Sequence, residues 1–482
     1  MAEKKWYDNA VMVNRDPNWT YRANITSAEN CRTVFESVFS RFGEGAITDV
    51  MLGVLEQTTM VPSKHLMWRG EKFLQKIENG HEVSYPDHEK LYKPYAEFGV
   101  DGVQIFIDEM HKLGIRPWIS LRVNDVHFGH DETSFLHSDM FYEEVAAGHH
   151  IGDHYGYYGR AFNFKHDRYR NALLGFIKEL LDKYDMFGIE MDFMREIYCF
   201  DYLGDPDGIQ DVIMDFMRTV KAYALEAEKR VGHDIKVSIR TCRDPEDAYI
   251  FGFDIKRMAD EGLIDIVVPT PRWDPTDSGM PIRKWKALLG DSVGIIAGME
   301  TNNFKSSINT AENEKAYAAS FYAQGADGIY FNNHEAYNDR NRTSWRVNRD
   351  TCLKGRRDFV VTSQDCAAYK SEAYKPLPFR IGYSNMLPLE IGKVKPTDKV
   401  VLTIDFEGDE LPEICINGFR ANSRRVVEPL VLRTAGQERW MCATENIPLE
   451  YDFTGFSTDS KAVLGFIGSG KINYIRVTIV SK

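Results

Sequence analysis

The chain lacks the features that mark a membrane or nucleic-acid-binding protein. No segment approaches the roughly 18 consecutive apolar residues of a membrane span, and the opening MAEKKWYDNA has no apolar stretch typical of a secretion signal. Basic residues are in deficit, since 59 Lys and Arg face 72 Asp and Glu, for a net charge of −13. We therefore expect no nucleic-acid partner and no membrane span. The sequence does not decide between a cytoplasmic protein and an exported one whose signal is absent.

Paired cysteines and phosphate-binding loops are missing too. The seven cysteines are odd in number and have no CxxC spacing, which predicts free thiols in a reducing interior rather than disulfides or a zinc site. They are Cys31, Cys199, Cys242, Cys352, Cys366, Cys415 and Cys442. No GxGxxG or GxxxxGKS loop follows an early strand, and we expect no cofactor.

What is present is an alternation of apolar, strand-like runs with helical patterns from the N-terminus to about residue 350. Eight such runs predict an α/β protein with a (β/α)8 TIM barrel over residues 1–350, with an open doubly wound sheet as the competing architecture. The absence of a phosphate loop favours the barrel. The runs cover residues 10–16, 47–57, 115–125, 187–196, 234–242, 263–273, 292–300 and 325–333.

The texture changes near Pro376. From there, short alternating runs such as KVVLTIDFEG and KINYIRVTIV are separated by Gly, Pro, Asn and Asp. This pattern predicts a C-terminal antiparallel β-sandwich accessory domain over residues 376–482. Residues 351–375 are expected to form the connection.

The fourth run, FGIEMDFMRE, contains two carboxylates, Glu190 and Asp192, in an otherwise apolar strand. Buried acids are rare unless paired or functional, and barrels keep their chemistry at the carboxyl ends of their strands. Side chains alternate along a strand, so polar residues of one parity predict a pocket. On this basis Arg122 and Arg240 are expected to flank Glu190, which would stay ionised and support the site. Asp192, nearer the rim, is then the catalytic candidate, and the sequence does not say which carboxylate is nucleophile and which is proton donor.

Two carboxylates on one strand cannot lie on both sides of a scissile bond. The partner of Asp192 must come from another strand, and Glu300, which ends the seventh run, is the strongest candidate because strands four and seven are opposite in an eight-stranded barrel. Such a pair would lie about 5–5.5 Å apart in a retaining glycosidase and about 6.5–9.5 Å apart in an inverting one. The competing partners are Glu56, Asp125, Asp274 and Glu335.

The fourth run resembles the family-10-like glycosyl hydrolases, whose fourth strand typically reads D-G-I-x-x-D. Gly188, Ile189 and Asp192 match that pattern, whereas Phe187 replaces its first acid. The resemblance covers about 330 residues and implies a (β/α)8 barrel with catalytic carboxylates ending strands four and seven, here Asp192 and Glu300. The run is also similar to the chitinase pattern D-x-x-D-x-D-x-E, but Met194 replaces that family's catalytic Glu, which argues against a chitinase mechanism.

Further polar and aromatic residues after the predicted strands suggest a wall that binds sugar hydroxyls. A long segment after the third strand carries six of the 13 histidines together with Tyr155, Tyr157 and Tyr158, which suits a polyhydroxylated ligand. Zinc or manganese held there with Asp131 or Asp153 is the alternative, but no ordered ligand spacing supports it, and we predict no metal site. The predicted substrate-binding residues are Arg122, Asn124, His127, Arg240, Trp273, Asn332, Asn333, His334 and Glu335. Trp118 is expected to pack in the core.

Together these patterns favour a glycosidase that cleaves an oligo- or polysaccharide with two carboxylates. The substrate would be a carbohydrate, and the arginines suggest an acidic or sulfated one unless carboxylates neutralise them. A metal-dependent carbohydrate lyase or isomerase on the same barrel and a non-catalytic sugar-binding protein are the alternatives.

Overall fold

The computed structural model contains a closed barrel of eight parallel strands in chain order, followed by antiparallel sheets, which confirms the predicted TIM barrel and β-sandwich. It describes residues 5–15, 25–71, 94–131, 134, 137–271, 279–300, 310–332, 347–362, 376–382, 385–429, 431–433, 440–442 and 446–481. The barrel strands are β1 (Ala10–Arg15), β2 (Asp49–Leu55), β3 (Arg116–Arg122), β4 (Gly188–Asp192), β5 (Lys236–Cys242), β6 (Ile266–Thr270), β7 (Gly294–Glu300) and β8 (Gly328–Asn332).

Helices alternate with these strands, and several begin at side-chain caps that the sequence supplies. Ser27 caps the first helix by accepting a hydrogen bond from the backbone N–H of Asn30 at 3.1 Å. Asp101 caps the second by accepting from Val103 and Gln104. The described helices are α1 (Ala28–Phe39), α2 (Gly102–Leu113), α3 (Asp139–Ala146), α4 (Asp167–Lys183), α5 (Ile209–Val231), α6 (Pro245–Ile250), α7 (Ile255–Asp260), α8 (Ile282–Leu289) and α9 (Ala311–Gln324).

Strand β4 requires glycine at its first residue because an aromatic ring covers that position. A Cβ built on Gly188 would lie 2.3 Å from Cζ3 of Trp118 and 2.7 Å from the carbonyl oxygen of Lys236. Trp118 is fully buried and donates its indole N–H to Oδ1 of Asp49 at 2.8 Å. The core role predicted for Trp118 is confirmed, and it gives a packing reason for the glycine of the FGIEMD motif.

The register of β3, β4 and β5 sets polar side chains in two rows. Ser120, Glu190 and Ser238 are neighbours in one row, and Arg122, Asp192 and Arg240 are neighbours in the next. The two arginines are therefore level with Asp192 and not with Glu190. The expected flanking of Glu190 by arginine took parity as a guide to height, but alternation along a strand fixes only which face a residue takes and not its height relative to the next strand.

The C-terminal sheets begin earlier than the sequence suggests. Gly355–Thr362, inside the predicted connection, forms strand β9 and pairs antiparallel with the long strand Gly470–Ser481. One sheet has the order β10, β20, β12, β18, β15, with β9 also on β20, and another the order β11, β19, β13, β14. The strands are β10 (Phe379–Ile381), β11 (Met386–Glu390), β12 (Lys399–Glu407), β13 (Glu413–Ile416), β14 (Phe419–Arg420), β15 (Ser423–Val426), β16 (Val431–Arg433), β17 (Trp440–Cys442), β18 (Ile447–Asp452), β19 (Lys461–Ile467) and β20 (Gly470–Ser481).

By contacts the chain divides into two compact units. One comprises Met12–Val268 with Leu288–Val293, and the other comprises Met1–Val11, Pro269–Ala287 and Gly294–Lys482. None of the helices described here is long and apolar enough to cross a membrane. Five cysteines in the described part have free thiols, as predicted: Cys31, Cys199, Cys242, Cys352 and Cys415.

Candidate active site

Asp192, the last residue of β4, is buried and held by three hydrogen-bond donors. The Nη1 atom of Arg240 lies 2.9 Å from each carboxylate oxygen. The backbone N–H groups of Met194 and Arg195 each donate to Oδ1 at 3.0 Å. Only 2% of Asp192 and 1% of Arg240 is exposed. A guanidinium and two amides thus fix the orientation of this carboxylate and stabilise its negative charge.

Glu190 lies one row deeper and is fully buried. Its Oε1 accepts from the hydroxyl of Ser120 at 2.8 Å, and its Oε2 lies 3.5 Å from the hydroxyl of Ser238. Asn14, near the end of β1, donates to the same Ser120 oxygen at 3.3 Å. This row therefore links β1, β3, β4 and β5 through polar side chains beneath Asp192.

A second cluster of charges follows β2 and β3. Arg122 donates to Oε1 of Glu56 at 2.7 Å, and Arg69 contacts Oε2 of the same carboxylate. Arg122 Nη1 is also 3.6 Å from Oδ2 of Asp125. The structure thus places the Arg122 guanidinium against Glu56 and near Asp125.

Asp125 connects this cluster to a histidine. Its Oδ1 accepts from the backbone N–H of His127 at 2.8 Å and lies 2.7 Å from the ring Nδ1. Burial alone would raise the pKa of Asp125, but His127, Arg195 and Arg122 together hold the pKa of this carboxyl well below its usual value. Asp125 is therefore ionised and orients the imidazole of His127.

Arg195 joins the charged cluster to Asp192. Its side-chain Nη2 lies 3.2 Å from Nδ1 of His127 and also contacts Nε2, and its Nε is 3.7 Å from Oδ2 of Asp125. Its backbone N–H is one of the donors to Asp192. A continuous path of polar contacts therefore runs from Glu56 through Arg122, Asp125, His127 and Arg195 to Asp192.

Sequence reasoning found part of this cluster. It singled out Arg122, His127, Asp192 and Arg240, and named Glu56 and Asp125 as possible partners of Asp192, but it missed Arg69 and Arg195. Arg195 stands inside the FGIEMDFMRE run, three residues after the catalytic candidate, and that position was an available signal. Arg69 lies 13 residues beyond Glu56 in an irregular segment, where no periodicity indicates it.

The side-chain amide of Asn124, which was predicted to bind substrate, is hydrogen-bonded to backbone groups. Its Nδ2 donates to the carbonyl oxygens of Phe162 at 2.9 Å and Tyr198 at 3.1 Å. Its Oδ1 accepts from the N–H of Phe162 at 3.0 Å. With 1% exposure, Asn124 fastens the end of β3 to two neighbouring loops.

Glu300 and Asn332 form a pair at the ends of β7 and β8, where they are register partners. The Nδ2 of Asn332 lies 3.0 Å from Oε1 and 2.9 Å from Oε2 of Glu300. Both residues are buried, with 3% and 4% exposed. The predicted positions of Trp273, Asp274, Asn333, His334 and Glu335 lie outside the described residues.

One group of side chains in the described residues has metal-ligand geometry. One ligand atom from each of Glu56, Asp125 and His127 lies within 4.8 Å of the other two. This group does not include Asp131 or Asp153, the residues named above as possible metal ligands. Arg69 and Arg122 contact both oxygens of Glu56, and Arg195 reaches Asp125 and His127. Three guanidinium charges outnumber the two carboxylates, so the electrostatics oppose a divalent cation here.

The histidine-rich segment is instead packed through its own carboxylates and rings. His149 pairs with Glu144 at 3.1 Å and stacks on His166 with centroids 3.9 Å apart. Burial, then the neighbouring His149, lowers the pKa of His166 below its usual value. Tyr158 stacks on Tyr198 at 4.4 Å, which joins this segment to the loop after β4.

Comparisons with known proteins do not assign this chain to a family. No family model matches the chain, and no curated protein does. Alpha-L-fucosidase isoenzyme 2 from Paenibacillus thiaminolyticus is 14% identical, with a TM-score of 0.42 over 70% of this chain and 48% of that one, so this chain spans about half its length. The PgaB (BpsB) glycoside hydrolase domain from Bordetella bronchiseptica is 11% identical, with a TM-score of 0.41 over 67% of this chain and 93% of that one.

A putative alpha-L-fucosidase from Bacteroides thetaiotaomicron is similar over more of the chain. It is 10% identical, with a TM-score of 0.33 over 99% of this chain and 96% of its own. Similarity at this level does not identify a substrate or a mechanism. The specific resemblance to family-10-like enzymes stays a prediction from the residues.

Proposed function

We propose that this chain is a glycosidase whose catalytic carboxylate is Asp192. The observation that carries the proposal is the geometry of Asp192 at the carboxyl end of β4, where Arg240 Nη1 is 2.9 Å from both its oxygens and two backbone amides donate to Oδ1. Barrel enzymes place their reacting groups at this end of the strands. A carboxylate whose position is fixed by three donors is preorganised for a developing oxocarbenium ion.

The donors around Asp192 favour one of the two carboxylate roles. A nucleophile or charge stabiliser must be ionised, whereas a general acid must hold a proton at the working pH. Arg240 and the amides of Met194 and Arg195 place a positive charge and two N–H dipoles against the oxygens of Asp192. We therefore assign Asp192 as the nucleophile or electrostatic stabiliser, with Glu190 as the buried support of its strand.

The proposed proton donor is Glu300, whose pairing with Asp192 remains a prediction from strand order. Asn332 donates to both Glu300 oxygens, which fixes the direction of the carboxyl group. A glycosidase needs one ionised carboxylate and one carboxyl group that carries a proton, and with Asp192 assigned the first role the second falls to Glu300.

The proposed substrate is a neutral carbohydrate. The described carboxylate contacts of Arg122 are with Glu56 and Asp125, that of Arg69 is with Glu56, and that of Arg240 is with Asp192. Each guanidinium group therefore already lies against a buried carboxylate. Recognition of an acidic or sulfated sugar would need one of them to exchange a buried carboxylate for the ligand, at a considerable desolvation cost.

The experiment that tests this function is a screen of aryl glycosides and neutral oligosaccharides with product analysis by NMR. Wild type, Asp192→Asn and Glu300→Gln are assayed in parallel, with Asp49→Asn as a control, because Asp49 is an equally buried, arginine-paired aspartate at the start of β2. We expect turnover by wild type and the control and its loss in both site variants. Unchanged turnover in both site variants would contradict the mechanism.

One observation favours the alternative function of a metal-dependent lyase or isomerase, namely the ligand spacing of Glu56, Asp125 and His127. It predicts that EDTA abolishes turnover and that added Zn²⁺ or Mn²⁺ restores it. Because three arginines contact these groups, we expect the rate to be unchanged by EDTA. Elemental analysis of the purified protein provides the independent check.

A further inference from the structure

Phe128 has a backbone conformation that aromatic residues rarely adopt. Its φ is +57°, in the left-handed region where a side chain crowds its own backbone and where glycine or asparagine is normal. At the same time 54% of its surface is exposed. Single exposed apolar residues are common, but Phe128 is held in a strained conformation without gaining a buried packing position in return. Backbone outliers of this kind concentrate at ligand-binding positions.

The turn that carries Phe128 is held from several sides. Gly129 N–H donates to the carbonyl of Val126 at 2.9 Å, and Asp131 N–H donates to the carbonyl of Phe128 at 2.7 Å. A Cβ at Gly129 would lie 3.1 Å from Cβ of Arg160, so a neighbouring loop packs directly against the turn. These contacts hold the backbone that carries the ring in place before any ligand arrives, which lowers the entropic cost of binding.

The turn is also connected to the proposed catalytic carboxylate. His127, the residue before Phe128, contacts the side chain of Arg195, and the backbone N–H of Arg195 donates to Oδ1 of Asp192 at 3.0 Å. On the other side, His130 Nε2 lies 2.9 Å from the carbonyl oxygen of Gly156. Phe128 is thus linked to Asp192 through His127 and Arg195, and both residues lie at or after the carboxyl ends of barrel strands.

We infer that Phe128 is an aromatic binding subsite for the apolar face of a neutral pyranose ring. A phenyl ring has no hydrogen-bonding atom, so its binding partner must offer an apolar face, and a pyranose offers one in its axial C–H groups. Its rigid ring gives contact area at little conformational cost. The inference rests on the proposed function and deepens it, since the sugar that stacks on Phe128 would belong to the substrate cleaved at Asp192.

Two truncations separate a ligand-binding ring from a packing one. Phe128→Ala removes the ring and keeps a Cβ at positive φ, whereas Phe128→Gly removes the ring and also relieves the strain. Because the ring is exposed, neither change is expected to create a cavity. Phe128→Gly should therefore melt above Phe128→Ala by about 2 °C, while both lose the same sugar contact. Tyr249→Ala is the matched control, since Tyr249 is also 54% exposed but lies in helix α6.

The test measures binding of cellohexaose, maltohexaose, xylohexaose and mannohexaose to the full chain by calorimetry, in an Asp192→Asn background that prevents turnover. We expect at least one hexasaccharide to bind, its affinity to fall about tenfold in both Phe128 truncations, and no change in Tyr249→Ala. Phe128→Tyr, which keeps the ring, should restore the affinity. Equal affinity in all variants, or no binding of any hexasaccharide to folded protein, would overturn the inference.

The outcomes also separate this inference from the proposed hydrolase. Binding that depends on Phe128, in a protein that cleaves no glycoside, would retain the subsite and reject the hydrolase. Turnover that depends on Asp192, together with sugar binding that is unchanged by Phe128 truncation, would retain the hydrolase and reject the subsite. A loss of several degrees in Tm for both truncations, with unchanged affinity, would assign the ring to packing.

Discussion

Arg240 Nη1 lies 2.9 Å from both oxygens of Asp192, and the two residues are register partners on neighbouring strands. Truncating one partner of a buried ion pair leaves an uncompensated charge and costs about 3–5 kcal/mol. The same contact fixes the proposed catalytic carboxylate, so its loss should affect both folding and the rate.

We predict that Arg240→Gln lowers kcat by a factor on the order of 10²–10³ and lowers the free energy of unfolding. Arg240→Lys should retain more of both, because the observed contact uses a single guanidinium nitrogen that an ammonium can replace. Steady-state kinetics and denaturant titration check this. Equal effects of the two substitutions would show that the positive charge is not what Asp192 requires.

Gly188→Ala should destabilise the barrel by about 1–3 kcal/mol through overpacking. The added methyl would overlap the ring of Trp118 at 2.3 Å and the backbone oxygen of Lys236 at 2.7 Å, and neither group can move freely in the core. Urea unfolding measures the change. Gly208→Ala is the control, since its Cβ position contacts nothing within 4 Å, although its positive φ adds a smaller strain of its own.

Asp125 should make stability depend on pH at the acid end. Its folded-state pKa is held below the unfolded value of about 3.9, so its contribution is complete above the unfolded pKa and is lost progressively as the pH falls from there through the folded-state pKa. We expect Asp125→Asn to lower the free energy of unfolding at pH 7. As the pH falls from about 5 to about 3, the range around the unfolded pKa, the variant should lose less further stability than wild type. An unchanged pH dependence would contradict the assigned role of His127, Arg195 and Arg122.

The Glu300–Asn332 pair gives a prediction on the pH profile of turnover. Asn332→Asp places a negative charge at the position from which Nδ2 now contacts both Glu300 oxygens, and like charges favour protonation. Whether Glu300 acts as acid or base, the limb of the kcat/KM profile that it controls should move to higher pH. Asn332→Ala, which adds no charge, should lower kcat without that shift.

The sequence sufficed to predict the barrel because eight apolar runs with intervening helical patterns are a local signal, repeated along the chain. It also located Asp192, since an acid in an apolar strand is conspicuous. The pairing of Arg240 with Asp192 could not be predicted, because it depends on the register of β5 against β4, which the sequence of neither strand encodes by itself. Arg195 and Arg69 were missed because they act from irregular segments, and β9 was missed because its partner β20 is more than 100 residues away.

The measurement that tests the central claim most directly is kcat of Asp192→Asn on a glycoside cleaved by wild type, with Asp49→Asn measured beside it. Both aspartates are buried and arginine-paired, so both substitutions should cost stability, but only Asp192 ends a strand at the catalytic face. We predict that kcat falls by a factor of about 10³ or more in Asp192→Asn and changes little in Asp49→Asn. A folded Asp192→Asn protein with wild-type kcat would show that this carboxylate is structural and that the catalytic assignment is wrong.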